Sequence, residues 1–181
     1  YGSSISVLQQ IFNDSNAVNG VQIKNICGNK NGLVYIQTQN GVNYFNLRNE
    51  KFGVISDYPV NAISYGIRHL WIAEENKLYE YTETKKLYIE LPDKSAIISK
   101  VLQTVDQKII LGTISSGIYI IDQNKKMRQI LNGCSQVSDI FEDSKKNIWV
   151  GTWQNGLYKI DRAGNIFNYL PDSQKPGVSS N

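Results

Sequence analysis

Cysteine, histidine and methionine are nearly missing from this chain of 181 residues, which has two Cys, one His and one Met. Cys27 and Cys134 lie far apart with no Cys or His neighbour. That excludes the paired spacings of a zinc site and reads as two unpaired or buried thiols. A lone histidine, His69, excludes a two-His metal centre. No nucleophile with an oriented base can be assembled around it, so it reads as a turn residue beside Arg68 and no catalysis is expected. No apolar run approaches the roughly 18 residues that a membrane helix needs. The chain starts without Met or a signal-like leader and reads as mature or trimmed. No Gly-rich loop joins a strand to a helix to cradle phosphate, so no cofactor is expected. Charge is sparse too, at 19% of residues with a net +3 spread along the chain, too weak and scattered for a nucleic-acid partner. The Glu142-Asp143 pair and the Lys85-Lys86, Lys125-Lys126 and Lys145-Lys146 doublets read as solvated turns.

What is present is a repeat. An apolar-x-x-apolar pair occurs at Ile23/Ile26, Val60/Ile63, Ile98/Val101 and Val137/Ile140, with first members 37, 38 and 39 residues apart. Each pair is followed by three short apolar runs. The second runs fall at 33–36, 70–72, 109–111 and 148–150, and the third at 42–45, 78–81, 118–121 and 157–160. The fourth runs fall at 52–55, 87–91, 127–131 and 166–170. Short β-rich runs joined by Gly, Asn and Asp turns predict antiparallel hairpins. Four strands per unit of about 40 residues is the arithmetic of a propeller blade. The expected fold is therefore all-β, a β-propeller of about four four-stranded blades at residues 21–59, 60–97, 98–136 and 137–172. A β-sandwich is the alternative; it would not repeat one four-strand unit with the same turn chemistry.

The turns agree with this. Gly41, Gly117 and Gly156 precede the third strand, where positive φ is needed, and Asn76 takes that place in the second repeat. Asn46, Asp122 and Asp161 close the third strand as Asx turns. Trp71 and Trp149 share one repeat slot, filled by Tyr35 in the first unit. These aromatics are expected to wedge between neighbouring blades, so that Trp149→Ala would cost about 3–5 kcal/mol.

Residues 140–161, Ile-Phe-Glu-Asp-Ser-Lys-Lys-Asn-Ile-Trp-Val-Gly-Thr-Trp-Gln-Asn-Gly-Leu-Tyr-Lys-Ile-Asp, closely resemble the two-component regulator propeller repeat. Ile109-Ile110-Leu111-Gly112-Thr113 matches well, whereas Gln37-Thr38 and Ala73-Glu74 replace the Gly-Thr step in the first two units. The resemblance implies a periplasmic sensor region of a bacterial hybrid two-component system. Such regions often respond to polysaccharide-derived oligosaccharides, work as homodimers and reach the membrane and kinase only through further segments.

Residues 5–11 are β-like and stand where an outer strand of a preceding blade would, so residues 1–20 read as that strand and its connection. Residues 173–181 resemble the lead-in to a further blade. Four blades with such ends suggest part of a larger propeller with exposed blade faces. A ligand would sit on the face made by the second-to-third-strand turns and the inter-blade connections. Trp153 is a large aromatic on a turn that does not need one, and aromatic faces stack on sugar rings. The alternative is that it packs on its own blade. Gln154, Asn155, Tyr58, Asp57 and Glu75 complete the candidate face, and no metal ligand is expected. The leading function is non-catalytic sensing; a protein-binding scaffold and a propeller lyase are the alternatives.

Overall fold

Short β-branched and aromatic runs, each ended by a tight turn, leave the backbone no partner except the neighbouring run, and all sixteen pair antiparallel with it. In the computed structural model the described residues are 17–132, 134 and 136–170; the readings made for residues 5–11 and 173–181 lie outside them. Blade 1 holds β1 (Ile23–Gly28), β2 (Leu33–Thr38), β3 (Val42–Asn46) and β4 (Lys51–Ser56). Blade 2 holds β5 (Ala62–Tyr65), β6 (Leu70–Glu74), β7 (Lys77–Tyr81) and β8 (Lys85–Glu90). Blade 3 holds β9 (Ile98–Gln103), β10 (Ile109–Thr113), β11 (Ile118–Ile121) and β12 (Met127–Leu131). Blade 4 holds β13 (Val137–Glu142), β14 (Ile148–Thr152), β15 (Leu157–Ile160) and β16 (Ile166–Tyr169). Strand order within each sheet follows the chain, and no helix occurs among the described residues. The fold is the expected all-β propeller architecture.

The period of two along each strand sends alternate side chains to the two faces of a blade. In blade 2, Leu70 and Ile72 join a buried cluster with Tyr35, Val42 and Ile63, toward blade 1. Trp71, Ala73 and Leu78 join another with Ile98, Ile109 and Leu111, toward blade 3. A third cluster places Ile110, Ile118 and Ile120 of blade 3 against Val137, Ile148 and Val150 of blade 4. Three such clusters join four blades, and among the described residues no fourth one joins blade 4 back to blade 1. The inner strands succeed one another, β1 beside β5, β5 beside β9 and β9 beside β13. All four border an axial cavity of about 200 Å³.

Gly112 explains part of the repeat's signature. A Cβ there would lie 2.4 Å from Val137 Cγ1, so its absence lets β13 of the next blade approach. The threonine after it closes the following turn. Thr113 Oγ1 donates to Gly117 O at 2.8 Å, and Thr152 Oγ1 donates to Gly156 O at 2.7 Å. Gly41, Gly117 and Gly156 have φ of 150°, 74° and 74°. In blade 2 the positive φ falls on Glu75 (51°) and not on Asn76. Asn76 is instead drawn inward, its Nδ2 donating to Leu91 O at 3.1 Å.

The aromatic slot divides. Tyr35 stacks on Tyr65 of the next blade at 5.6 Å, and Trp71 is buried between blades 2 and 3. Among the described residues Trp149 has no second blade to wedge against. It lies in register with Phe141 and Lys159 on the outward face of blade 4, where no following blade stands among the described residues. There it stacks on Tyr169 at 6.0 Å and donates from Nε1 to Asp143 Oδ2 at 2.9 Å.

Candidate functional site

In three blades the residue after the turn-closing position donates its N–H to the connection that enters the inner strand. Gln39 N bonds Gln22 O, Ile114 N bonds Ile97 O, and Trp153 N bonds Gln136 O, at 2.9–3.2 Å. In blade 2, Glu75 N bonds the Asn61 side-chain oxygen at 2.6 Å, and Glu75 O accepts from Ile98 N. Gln39, Glu75, Ile114 and Trp153 are thus equivalent positions on one end of the arc.

Between blades 3 and 4 this end opens into a cleft of about 330 Å³, lined among others by Trp153, Ile114, Gln136, Asn61, Lys100 and Ser138. Trp153 is 71% exposed and does not pack on its own blade. Ile114, 38% exposed, adds a second apolar surface. Lys100 also borders the axial cavity, and no carboxylate lies at ion-pair distance from it among the described residues. An aromatic plane flanked by amide, hydroxyl and ammonium groups suits a ring bearing hydroxyls.

The other sequence candidates divide. Gln154 and Asn155 share the turn with Trp153, and Asn155 N donates to Thr152 Oγ1 at 3.0 Å. Glu75 does not line the cleft; its backbone N–H donates to the side chain of Asn61, which does. Tyr58 goes elsewhere: its hydroxyl accepts from Lys85 Nζ, which also pairs with Glu74 at 2.7 Å. Asp57 is exposed beside it and does not line the cleft. Asn61 and Lys100 were missed, and Ile114 was not singled out from its turn on the expected face. The signal for Ile114 was its repeat position, one residue after Thr113 as Trp153 is after Thr152.

Electrostatics elsewhere are those of turns. The Asp143 carboxyl is held well below its usual range, first by the Asn147 side chain and then by the Trp149 indole. Burial pushes the Cys27 thiol up to about 11 and raises that of Cys134. His69 Nδ1 stands 2.5 Å from Glu80 Oε1, and its ring meets Trp71 edge-on. Among the described residues no group of three or more His, Cys, Asp or Glu is placed to hold a metal ion.

The repeat that frames Trp153 decides the likeness. Residues 131–154 match the two component regulator propeller family. Among solved structures, the chain superposes on the extracellular domain of the putative one component system BT4673 from B. thetaiotaomicron. That match has a TM-score of 0.76 at 16% identity and covers 96% of this chain and 25% of that one. The extracellular domain of the putative hybrid two component system BT3049 from the same organism gives 0.57 at 14% identity, covering 95% and 31%. PorZ, a surface component of the type-IX secretion system of Porphyromonas gingivalis, gives 0.59 at 13%, covering 80% and 20%. The chain thus spans between a fifth and a third of the length of these structures. No protein of curated function matches it.

Proposed function

We propose that this chain is a non-catalytic ligand-sensing part of the extracytoplasmic, periplasmic region of a bacterial hybrid two-component regulator. Its ligand is an oligosaccharide released from a polysaccharide, held in the cleft beside Trp153. The regulator repeat at residues 131–154 and the likeness to extracellular sensor domains support the class. The observation that carries the site is an indole 71% exposed over a cleft of about 330 Å³ lined by hydroxyl-binding groups. Kinase activity, membrane attachment and pairing of two copies belong in this reading to the rest of a longer regulator. A propeller lyase is disfavoured because the single histidine is engaged with Glu80 and packed on Trp71.

A glycan array tests the reading. Saturable capture of one oligosaccharide class, weakened by Trp153→Ala, is expected. A protein ligand that binds this face while no glycan does would establish the scaffold alternative.

A further inference from the structure

The other end of the blade 3–blade 4 junction holds a second cleft, of about 270 Å³, bordered by the turns that the Trp153 cleft lacks. Four basic and three acidic side chains rim it. The acids are already engaged. Asp106 pairs with Lys146 at 2.5 Å, Glu142 accepts from Val105 N at 2.8 Å, and Asp161 accepts from the backbone and side chain of Asn165 at 2.8 Å. Of the bases, Lys108, Arg128 and Arg162 have no carboxylate at ion-pair distance among the described residues. The charges of Lys108 and Arg162 are nonetheless close enough to help hold the Asp106 carboxyl below its ordinary range, after the hydrogen bond from Lys146. Beneath them the wall is apolar, formed by Ile130, Ile160 and Ile166, the last 40% exposed.

We propose that this cleft binds a small organic anion, its carboxylate, sulfonate or phosphate held by Arg128 and Arg162 and its compact apolar body resting on the isoleucines. A guanidinium is weakly hydrated and offers a planar fork of donors that matches such oxyanions. Two of them flanking an apolar wall attract charge and shed water together. A bare inorganic anion forgoes the contact with the isoleucines, and a neutral ligand of the same shape leaves the guanidiniums unmet. The site is separate from the Trp153 cleft and does not depend on the carbohydrate reading.

The test is an NMR titration of the isotope-labelled chain with benzenesulfonate. Benzenesulfonamide serves as the neutral isostere and sodium sulfate as the bare anion. Saturable shifts are expected in the amides of residues 104–108, 128–130 and 160–166, with both comparators weaker by about tenfold or more. Arg128→Gln/Arg162→Gln, both at exposed positions, should keep the wild-type melting temperature and lose about tenfold or more in affinity. Lys86→Gln should bind as the wild type does. The proposal is overturned by equal binding of sulfonamide or of sulfate, by an unaffected double variant, by shifts confined to other regions, or by no saturable shift.

Discussion

Trp71 is the residue whose removal most directly weighs one blade against the next. It is 2% exposed, sits in the cluster between blades 2 and 3, and meets Tyr88 edge-on at 4.9 Å. A buried aromatic covers about 150–250 Å². At about 25 cal/mol per Å² that amounts to about 4–6 kcal/mol, against about 3–5 kcal/mol for buried aromatic truncations generally. The indole N–H donates to Gln103 Oε1 at 3.3 Å, but that oxygen also accepts from Ile67 N at 2.8 Å, so truncation strands no acceptor. Trp71→Ala is therefore expected to cost about 4 kcal/mol. Trp149 fills the same repeat slot yet is only partly buried, on a face where no further blade stands among the described residues. Its replacement loses the Tyr169 stack and the Asp143 bond, about 1–2 kcal/mol. Urea unfolding followed by circular dichroism separates the two. With a slope of about 2 kcal/mol per molar, Trp71→Ala should lower the midpoint by about 2 M and Trp149→Ala by less than about 1 M. Equal losses would refute the placement of Trp149 on an outward face.

Two further outcomes follow from the turns and the strand packing. The Asp143 carboxyl is depressed in the fold, so its contribution is full above the ordinary aspartate range of about 4 and is lost as pH falls through the lower folded value. Asp143→Asn should melt below the wild type at neutral pH, with the gap narrowing in acid; a constant gap across an acid series would contradict this. Gly112→Val should cost about 1–3 kcal/mol through the clash with Val137. Gly151→Ala, whose nearest neighbour is Ser138 Oγ at 3.0 Å, should be tolerated far better, as parallel thermal melts would show.

The blade arithmetic was legible because strand formation here is local. Each run pairs with its chain neighbour, so Ile148-Trp149-Val150 and Leu157 to Ile160 announce their hairpin without knowledge of the rest. The turns were legible where side-chain chemistry enforces them, as in the Asp122 and Asp161 carboxylates that accept the N–H groups of Lys126 and Asn165. They were misread where packing overrides preference. Asn76 gives up the positive φ to Glu75 because its amide is needed at Leu91. The outward placement of Trp149 could not be read from its slot, because the slot fixes the direction of a side chain and not whether another blade stands there. The candidate site was half legible. Trp153 stood out as an unneeded aromatic, but Lys100 and Asn61 join it only through blade-to-blade packing, and Tyr58 is diverted by Lys85, a partner 27 residues away.

In the proposed function, the exposed indole of Trp153 at the end of the arc grips a sugar ring without supporting the fold. Calorimetric titration of wild type and Trp153→Ala with polysaccharide-derived oligosaccharides, paired with melting of both proteins, tests it most directly. A stacked aromatic contributes on the order of 1 kcal/mol beyond area burial, so affinity should fall at least severalfold while the melting temperature stays the same. Equal affinity in both proteins would contradict the site, and a large fall in melting temperature would return Trp153 to the core.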